Sequence, residues 1–431
     1  MNGDKNIMES LKGKKLLILG ATRLERDIVD KAHELGVYVA VADYNLDAPA
    51  KEHADEKVLI DATDVDALVK YCRENHIDGV TTGFVDPLMP ACYEVCRQLG
   101  LPYYATPKML SMSTNKEDFK KTCEEYDIPV PHTVYVGKDV NALLSKEIPY
   151  PVFVKPLDAS GSRGAAVCYN ADELKKQFLE ASGFSKTDSV IVEEYITGTE
   201  FLLDYAAVDG EFRLLAMFDR YMCDDRDSAR NYANISCAPA KKIDHYLETM
   251  NDRVIAMFKD LGFRDGLLFM QGHTEGDRIV FYEMGCRLGG SFYNLEQACI
   301  GLNPVEMTIR YALTGKMVED ISKVSTKVSK FSKTAISYNC LLGGTDETIS
   351  SIKGLEILSD LPSYVTSIQE RVIGEHYVKD SIVDKPLITI YLAHEDIGQI
   401  RKDIYRLNTE IEAYNEQGMP LLMHRYDPER L

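Results

Sequence analysis

Several features that define other classes of protein are missing from these 431 residues. None of the ten cysteines forms a Cys-x-x-Cys pair, so neither a zinc site nor a thioredoxin-like motif is predicted. No apolar run approaches the ~20 residues that a membrane helix needs, and residues 1–10 lack the apolar core of a signal peptide. These absences predict a cytoplasmic protein with no membrane partner and with reduced, buried thiols, for example at Cys72, Cys92, Cys96 and Cys123.

An excess of positive charge is also missing. The chain has 49 Lys and Arg against 68 Asp and Glu, which gives a net charge of −19. A negative field of this size repels phosphate backbones, so no nucleic-acid partner is expected. The 45% of hydrophobic and 27% of charged residues indicate a globular protein, and the length predicts two or three domains.

The two most familiar glycine-rich nucleotide motifs are absent as well. No Gly-x-x-x-x-Gly-Lys-Ser/Thr sequence occurs, which excludes a P-loop NTPase. Residues 20–25 follow a predicted strand but lack the later glycines that let a pyrophosphate approach a helix N-terminus. Asp43 ends the next predicted strand, where it could either hold a ribose or serve the structure. A nicotinamide-dependent oxidoreductase therefore has weak support.

The part of the chain before residue 106 alternates strands with helices. Short apolar strands are predicted at 15–20, 37–42 and 79–83, and an amphipathic helix follows each of them or its loop. Alternation with short loops predicts a parallel sheet that is covered on both faces. Residues 1–105 are therefore expected to form a doubly wound, Rossmann-like domain.

Two lysines stand at positions that are unfavourable for a positive charge. Thr114 and Glu117 form a predicted capping box for a helix that has Lys116 in its first turn, against the helix dipole. Lys116 alone would be interpreted as a solvated lysine. Lys155 follows a run of apolar strand residues, where its charge is costly to bury without an anion. An anionic ligand is therefore expected near Lys155.

Three polar segments follow in order. Residues 160–164, Ser-Gly-Ser-Arg-Gly, can turn backbone N–H groups towards phosphate oxygens. Residues 193–196, Glu-Glu-Tyr-Ile, end a predicted strand, and Glu200 follows shortly after. A predicted hairpin then places Gln271 and Glu283 near opposing positions on paired strands, and two such oxygen ligands suit Mg²⁺.

In this order, the lysine after a strand, the small-residue loop, the Glu-Glu segment and Glu283-x-x-x-Arg287 resemble the ATP-grasp carboxylate-amine ligases. The resemblance covers roughly residues 14–320. Within the family, the sequence is similar to carbamoyl-phosphate synthetase large chains and biotin carboxylases. It implies an α/β and α+β fold with ATP and Mg²⁺, or Mn²⁺ in its place, as cofactors. It implies a pre-ATP-grasp domain at 1–105, a two-lobed ATP-grasp domain at 106–325 and a small α+β domain at 326–431.

The resemblance also implies roles for single residues. Glu193 would meet the adenine amino group, the backbone of Glu194 and Ile196 would contact the ring edge, and Glu200 would bind the ribose hydroxyls. Arg287 would stabilise charge on the transferring phosphoryl group or the acyl phosphate, and Glu283 would act with it in catalysis. The implied nucleotide-binding residues are Lys116, Lys155, Ser160, Gly161, Ser162, Gly164, Glu193, Glu194, Ile196 and Glu200, and the implied metal ligands are Gln271 and Glu283.

One residue departs from the family pattern. Gly285 stands where relatives have Asn, which removes an amide oxygen from a second metal site, and Gln271 is neutral where many relatives have a charge.

Gly289 and the residues after it would let backbone N–H groups approach the reacting carboxylate. Arginines at 220, 226 and 230 could grip a carboxylate substrate or neutralise neighbouring aspartates. Residues 326–431 show no catalytic cluster and are expected to pack against the central domain.

The resulting prediction is an ADP-forming ligase that activates a small carboxylate as an acyl phosphate for attack by an amine. Within the same family, a bicarbonate-activating carboxylase or a carbamoyl-phosphate-synthetase-like enzyme is the near alternative. A non-catalytic ATP-binding module is a third hypothesis, because Gly285 removes a ligand. A homodimer is one assembly that the sequence allows.

Overall fold

The computed structural model describes residues 11–158, 164–222, 233–318, 331–343, 346–378, 386–423 and 425–431. Its first unit is a four-stranded parallel sheet in the order β3-β2-β1-β4. The strands are β1 (Lys15–Leu19), β2 (Tyr38–Ala42), β3 (Glu56–Val58) and β4 (Gly79–Thr81), and the helices are α1 (Glu25–Glu34), α2 (Val65–Asn75) and α3 (Met89–Leu99).

The predicted double cover of this sheet is confirmed by the packing of β1. Leu16 and Ile18 point into one hydrophobic core, with Ile28 of α1, whereas Leu17 and Leu19 point into another, with Leu68 of α2. All six side chains are fully buried. A strand buried on both faces has no polar face, which explains the continuous apolar run in the sequence.

A small antiparallel sheet follows, in the order β5-β8-β6-β7. Before it, Asn115 caps the second of two helices, since its side chain accepts hydrogen bonds from the N–H groups of Glu117 and Asp118 at 2.9 and 3.3 Å. The predicted Thr114–Glu117 capping box is therefore wrong, because Thr114 is the last residue of the preceding helix. The elements are α4 (Pro107–Thr114), α5 (Lys116–Glu125), β5 (Thr133–Gly137), α6 (Val140–Leu144), β6 (Val152–Pro156), β7 (Ala166–Cys168), α7 (Ala171–Phe184) and β8 (Val190–Glu194).

The largest element is a nine-stranded antiparallel sheet with the order β13-β12-β9-β10-β11-β14-β18-β16, in which β20 also pairs with β14. Its strands come from both the central and the C-terminal parts of the chain, so these parts share one sheet. The strands are β9 (Thr199–Val208), β10 (Glu211–Met222), β11 (Ala233–Ala238), β12 (Gly266–Glu275), β13 (Arg278–Gly285), β14 (Thr334–Leu342), β16 (Tyr364–Gln369), β18 (Pro386–His394) and β20 (Leu422–Met423).

The remaining helices and strands pack around this sheet. Residues 243–260 form two helices, because Met250 leaves the helical conformation and Asn251 accepts a hydrogen bond from the Tyr205 hydroxyl at 2.7 Å. Within the described ranges, no helix combines the length and the apolar character needed to cross a membrane. The helices are α8 (Ile243–Thr249), α9 (Asn251–Asp260), α10 (Tyr293–Ile300), α11 (Pro304–Thr314) and α12 (Ile397–Glu410), and the strands β15 (Asp346–Lys353), β17 (His376–Val378) and β19 (Glu412–Asn415) form a third small sheet.

Candidate active site

An arginine–aspartate pair joins the parallel sheet to the β12–β13 hairpin. Asp86 lies in a short turn after β4, at the carboxyl edge of the sheet, where open α/β sheets bind their ligands. Arg287 follows β13, and its Nε and Nη2 atoms donate to the two Asp86 oxygens at 2.7 and 2.5 Å. The guanidinium carbon also lies 4.7 Å from the ring centroid of Phe269. The predicted catalytic arginine is thus held from two sides.

The two predicted metal ligands oppose each other across the hairpin. A β-bulge between Gln271 and Gly272 shifts the register, so that Gln271 pairs with Glu283 and Gly272 pairs with Phe281. A side-chain Cβ at position 272 would lie 2.3 Å from the Val280 carbonyl oxygen, which explains a glycine at the bulge. The bulge therefore creates the pairing on which a shared site depends.

One carboxylate and one amide oxygen fit a Mg²⁺ ion that takes its other ligands from phosphates and water. The described part of the chain contains no group of three or more His, Cys, Asp or Glu side chains arranged for a metal. Burial raises the pKa of Glu283, which Lys116 and Arg287 oppose and Asp86 reinforces. A bound cation would favour the charged form of this carboxylate.

The glycine at position 285 is explained by its packing against Phe269. It pairs with Phe269 of β12, and a Cβ at position 285 would lie 2.1 Å from an atom of the Phe269 ring. The ring that contacts Arg287 therefore fills the space into which a longer side chain would extend. The departure from the family pattern is built into the local packing.

A cleft of ≈ 90 Å³ opens beside these residues. Its wall includes Asp86, Lys116, Asp158, Lys186 and Glu283. Burial, reinforced by repulsion from Lys155 and opposed by Glu283, lowers the pKa of Lys116 to about 8. A buried ammonium group of this kind is stabilised by an anion, so the cleft suits a phosphate group.

A second cationic cluster lies under the cleft, around Glu193. Lys120 and Lys155 donate to the two Glu193 oxygens at 2.5 and 2.6 Å, and the side chain of Glu193 is 2% exposed. Burial would raise the pKa of this carboxyl group, but Lys155 and Lys120 outweigh burial and hold it below the usual range. Lys120 also donates to the Pro131 carbonyl and the Thr133 hydroxyl, each at 2.5 Å.

These contacts bear on the predicted base-binding segment. Both Glu193 oxygens bind lysines, and a Glu194 oxygen accepts from Arg278 at 2.5 Å and another hydrogen bond from the His132 N–H. Ile196 is 6% exposed. The adenine contacts of Glu193, Glu194 and Ile196 remain predictions, and the side-chain contacts leave recognition to the backbone.

Glu200, the predicted ribose ligand, is fixed by its neighbours in the sheet. It pairs in register with Arg220 of β10 and His273 of β12, and it forms an ion pair with Arg220. The ion-pair partner of Arg220 among the described residues is thus Glu200. Burial lowers the pKa of His273, whose Nδ1 has no hydrogen-bond partner among the described residues. The Tyr282 hydroxyl also bonds to Glu200.

Of the predicted small-residue loop, Gly164 alone lies within the ranges that the structure describes. Gly164 is described and has a φ of +69°, where a Cβ would lie 2.6 Å from the Phe184 ring. This left-handed conformation and the close ring explain the glycine at that position. Ser160, Gly161, Ser162, Arg226 and Arg230 lie outside the described residues.

Two residues of the site were missed by sequence reasoning. Lys120 lies one helical turn after Lys116, and this spacing could have placed both on one face of α5. Asp86 is the first acidic residue after β4, and the carboxyl edge of a parallel sheet could have drawn notice to it. Neither local pattern indicates the distant partner, which lies 73 residues from Lys120 and 201 residues from Asp86.

Residues 115–320 match the family model described as the carbamoyl-phosphate synthase L chain, ATP-binding domain. This range contains both lysines of the cleft, the paired Gln271 and Glu283, and Arg287. The match supports the resemblance to ATP-grasp ligases for this segment of the chain.

Comparisons with curated proteins and with solved structures identify individual proteins that the chain resembles. The chain is similar to the formate-dependent phosphoribosylglycinamide formyltransferase of Sulfurisphaera tokodaii, with 24% identity over 317 residues, 70% of this chain and 76% of that protein. The enzyme of the same name from Prochlorococcus marinus (strain MIT 9303) is 28% identical over 284 residues, 64% of this chain and 69% of its own.

Among solved structures, the L-amino acid ligase from Bacillus licheniformis has a TM-score of 0.75 at 18% identity, covering 93% of this chain and 98% of that chain. N5-carboxyaminoimidazole ribonucleotide synthetase from Thermotoga maritima has a TM-score of 0.69 at 17% identity, covering 93% and 99%. At these identities the likeness to the solved structures is one of fold.

Proposed function

We propose that this protein is an ADP-forming ligase that converts a small carboxylate into an acyl phosphate and transfers the acyl group to an amine. The observation that carries the proposal is the cleft that Asp86, Lys116 and Glu283 line at the carboxyl edge of the parallel sheet. Arg287 is tied to this cleft through its ion pair with Asp86. Substrates are small molecules, as they are for the formyltransferases and ligases that the chain resembles.

The nucleotide phosphates would lie against Lys116 and Lys155, with the loop at 160–164 beside them. Lys155 is already ordered by Glu193, so its ammonium group needs little reorganisation when phosphate binds. Glu200 would receive the ribose, held in place by Arg220 and Tyr282. A Mg²⁺ ion held by Gln271 and Glu283 would neutralise charge on the transferring phosphates.

The chemistry requires positioning and electrostatics, with no covalent nucleophile from the protein. The substrate carboxylate oxygen attacks the γ-phosphorus, and the bond to the β-phosphate oxygen breaks, releasing ADP. The amine nitrogen then attacks the acyl carbon, and phosphate leaves. Arg287 would stabilise the negative charge in both steps, since Asp86 and Phe269 hold its guanidinium in a fixed orientation.

For the domains we propose the division 1–105, 106–325 and 326–431, with a two-lobed central unit. The cleft would lie between the lobe of the small β5-β8-β6-β7 sheet and the lobe of the nine-stranded sheet. Because that large sheet continues through β14, β18 and β16, the third unit would move together with the second lobe.

A hydroxamate assay tests the proposed reaction. Purified protein, Mg-ATP and hydroxylamine are incubated with formate, amino acids and other carboxylates, and ADP and AMP are quantified. Hydroxamate with ADP is expected, and the acid that yields it identifies the substrate class. AMP in place of ADP would contradict the acyl phosphate.

Two further outcomes separate the alternatives. ADP release that depends on bicarbonate and on no organic acid would favour a bicarbonate-activating enzyme, consistent with the family model's name. Binding of ATP without turnover across the panel would favour a non-catalytic module. A Glu283→Gln variant controls each arm, because it removes the only carboxylate of the predicted metal pair.

A further inference from the structure

Two buried carboxyl groups lie behind Arg287, away from the nucleotide cleft. Asp204 of β9 is 7% exposed and Glu296 of α10 is 2% exposed. Both line a cavity of ≈ 10 Å³, whose wall also includes Arg287, Gly289 and Gly290. A cavity of this size holds about one water-sized group. The cavity therefore adjoins the arginine of the proposed reaction on the side of the glycine turn.

The pair has an unfilled need for hydrogen-bond donors. The Oε1 atom of Glu296 is buried and has no partner among the described residues. The positive charge that acts on Asp204 is that of Arg287, but its guanidinium already binds both oxygens of Asp86. An unsatisfied buried carboxyl oxygen is costly, so a ligand that brings N–H donors and a positive charge would be favourable here.

The same geometry keeps a proton on the pair. Burial, opposed by Arg287, raises the pKa of Asp204 to about 8, and burial with repulsion from Asp204 raises the pKa of Glu296. The charged and titratable groups facing the pair are Arg287 and Tyr205, which both line the cavity. Two adjacent buried carboxyl groups cannot both ionise at low cost, so a cation that enters would displace a proton.

Gly289 packs closely against the Asp204 carboxyl group. A Cβ at position 289 would lie 2.1 Å from Oδ1 of Asp204, so any side chain there would collide with this carboxyl oxygen. The backbone of the glycine turn thus lies directly against Asp204 and forms part of the cavity wall.

We propose that Asp204 and Glu296 bind the ammonium group of the acceptor amine and take its proton. The inference rests on the proposed ligase function and names the acceptor as a primary amine or ammonia. An N–H bond breaks and its proton goes to a carboxylate oxygen. The freed nitrogen lone pair forms the bond to the acyl carbon, and the carbon–oxygen bond to phosphate breaks. The departing phosphate takes the second proton that the nitrogen loses when the amide forms. The small cavity admits the ammonium group alone, and the rest of the acceptor lies beyond the glycine turn.

Cation binding tests the site without any turnover. Methylammonium chloride is titrated calorimetrically into the full chain in buffers of different ionisation enthalpy, with tetramethylammonium, which has no N–H donor, as the matched control. Saturable methylammonium binding with proton release is expected, weakened about tenfold or more in Glu296→Gln and Asp204→Asn. Equal binding to wild type and variants, binding of tetramethylammonium as well, or no saturable binding would overturn the proposal.

The acceptor reaction separates this inference from the proposed function. With the acid found in the hydroxamate assay, rates are compared for methylamine, which is protonated at neutral pH, and hydroxylamine, which is largely neutral. The methylamine-to-hydroxylamine rate ratio should fall about 100-fold in Glu296→Gln, the scale of a lost general base. Glu211→Gln, at the exposed start of β10, should leave the ratio unchanged.

The outcomes are distinct. An unchanged ratio in Glu296→Gln refutes the inference, while hydroxamate formation by wild type upholds the ligase. Absence of hydroxamate from wild type refutes the proposed function instead, and the methylammonium titration then decides whether the cation site exists. Thermal unfolding of each variant verifies that it is folded before either measurement is interpreted.

Discussion

Replacing Lys120 by methionine tests whether the buried lysine–glutamate–lysine cluster holds together the small sheet and Lys155, the proposed phosphate-binding lysine. The Lys120 side chain is 8% exposed, and its ammonium group bonds to Glu193, Pro131 and Thr133. Methionine keeps the apolar stem but removes every one of these bonds. The change therefore isolates the charge and its hydrogen bonds from the packing of the side chain.

The expected cost follows from the partners left behind. Breaking a buried ion pair by removing one partner costs about 3–5 kcal/mol. Because Lys155 stays on Glu193, the loss should lie near the lower end, at about 3 kcal/mol, including the unsatisfied Pro131 carbonyl. At 1.4 kcal/mol for each factor of ten, local opening of β5 and β8 should become about 100-fold more frequent.

Hydrogen exchange of the β5 and β8 amides measures this opening directly. Lys121→Met, at the neighbouring exposed position of α5, is the matched control and should leave exchange within about threefold of wild type. If Lys120→Met exchanges no faster than this control, the cluster has no stabilising role and the reasoning fails. ATP affinity should fall in parallel, because Glu193 loses one of its two lysine partners and then holds Lys155 less firmly.

The pH dependence has a defined sign. The folded-state pKa of Glu193 lies below its ordinary value of 4.5, because the two lysines outweigh burial. A depressed carboxyl pKa gives stability that is present above the unfolded pKa and lost as the pH falls through the folded value. The exchange difference between wild type and Lys120→Met should thus stay constant above about pH 4.5 and shrink below it.

Three other predictions concern the cleft. Arg287→Lys should lower kcat about 100-fold and Asp86→Asn about tenfold in the ligase assay, because lysine lacks the two-donor fork and asparagine the charge; equal rates would contradict the assigned pair. Gly285→Asn should destabilise the fold by about 1–3 kcal/mol in chemical unfolding, and adding Phe269→Leu should recover part of this if the ring is the obstacle. ATP affinity measured by calorimetry should weaken as the pH rises through about 8, where Lys116 loses its proton, and Lys116→Arg should abolish this dependence.

The parallel sheet could be predicted because each strand is recognisable from its own short stretch of sequence. The apolar run at 15–19 reports a strand buried on both faces, and short loops report the alternation with helices. The order of the polar motifs along the sequence also indicated the ATP-grasp family, although it does not show which residues contact each other. Both signals lie within short stretches of sequence, where periodicity and spacing retain their meaning.

The contacts of the site could not be predicted, because they join distant segments. Counting back from the tight turn at 275–278 without a bulge would oppose Gln271 to Tyr282, and Glu283 would then face the other side of the sheet. The single inserted residue beside Gly272 decides the metal pairing, and a lone strand glycine is too weak a signal to predict it. The same holds for the ion pair of Lys120 with Glu193, because a sequence pattern would interpret Lys120 as solvated.

Phe269 connects the family departure at Gly285 to the fixed position of Arg287. The ring occupies the volume that a side chain at 285 would need, and the same ring lies 4.7 Å from the Arg287 guanidinium. An asparagine at 285 would therefore displace the ring and weaken the support of the arginine, even as it added an amide oxygen. Gly285 is thus one half of a packed pair. The predicted absence of a second metal ligand at this position is compatible with firm support of Arg287, the predicted catalytic arginine, so the glycine alone gives no reason to infer a lost activity.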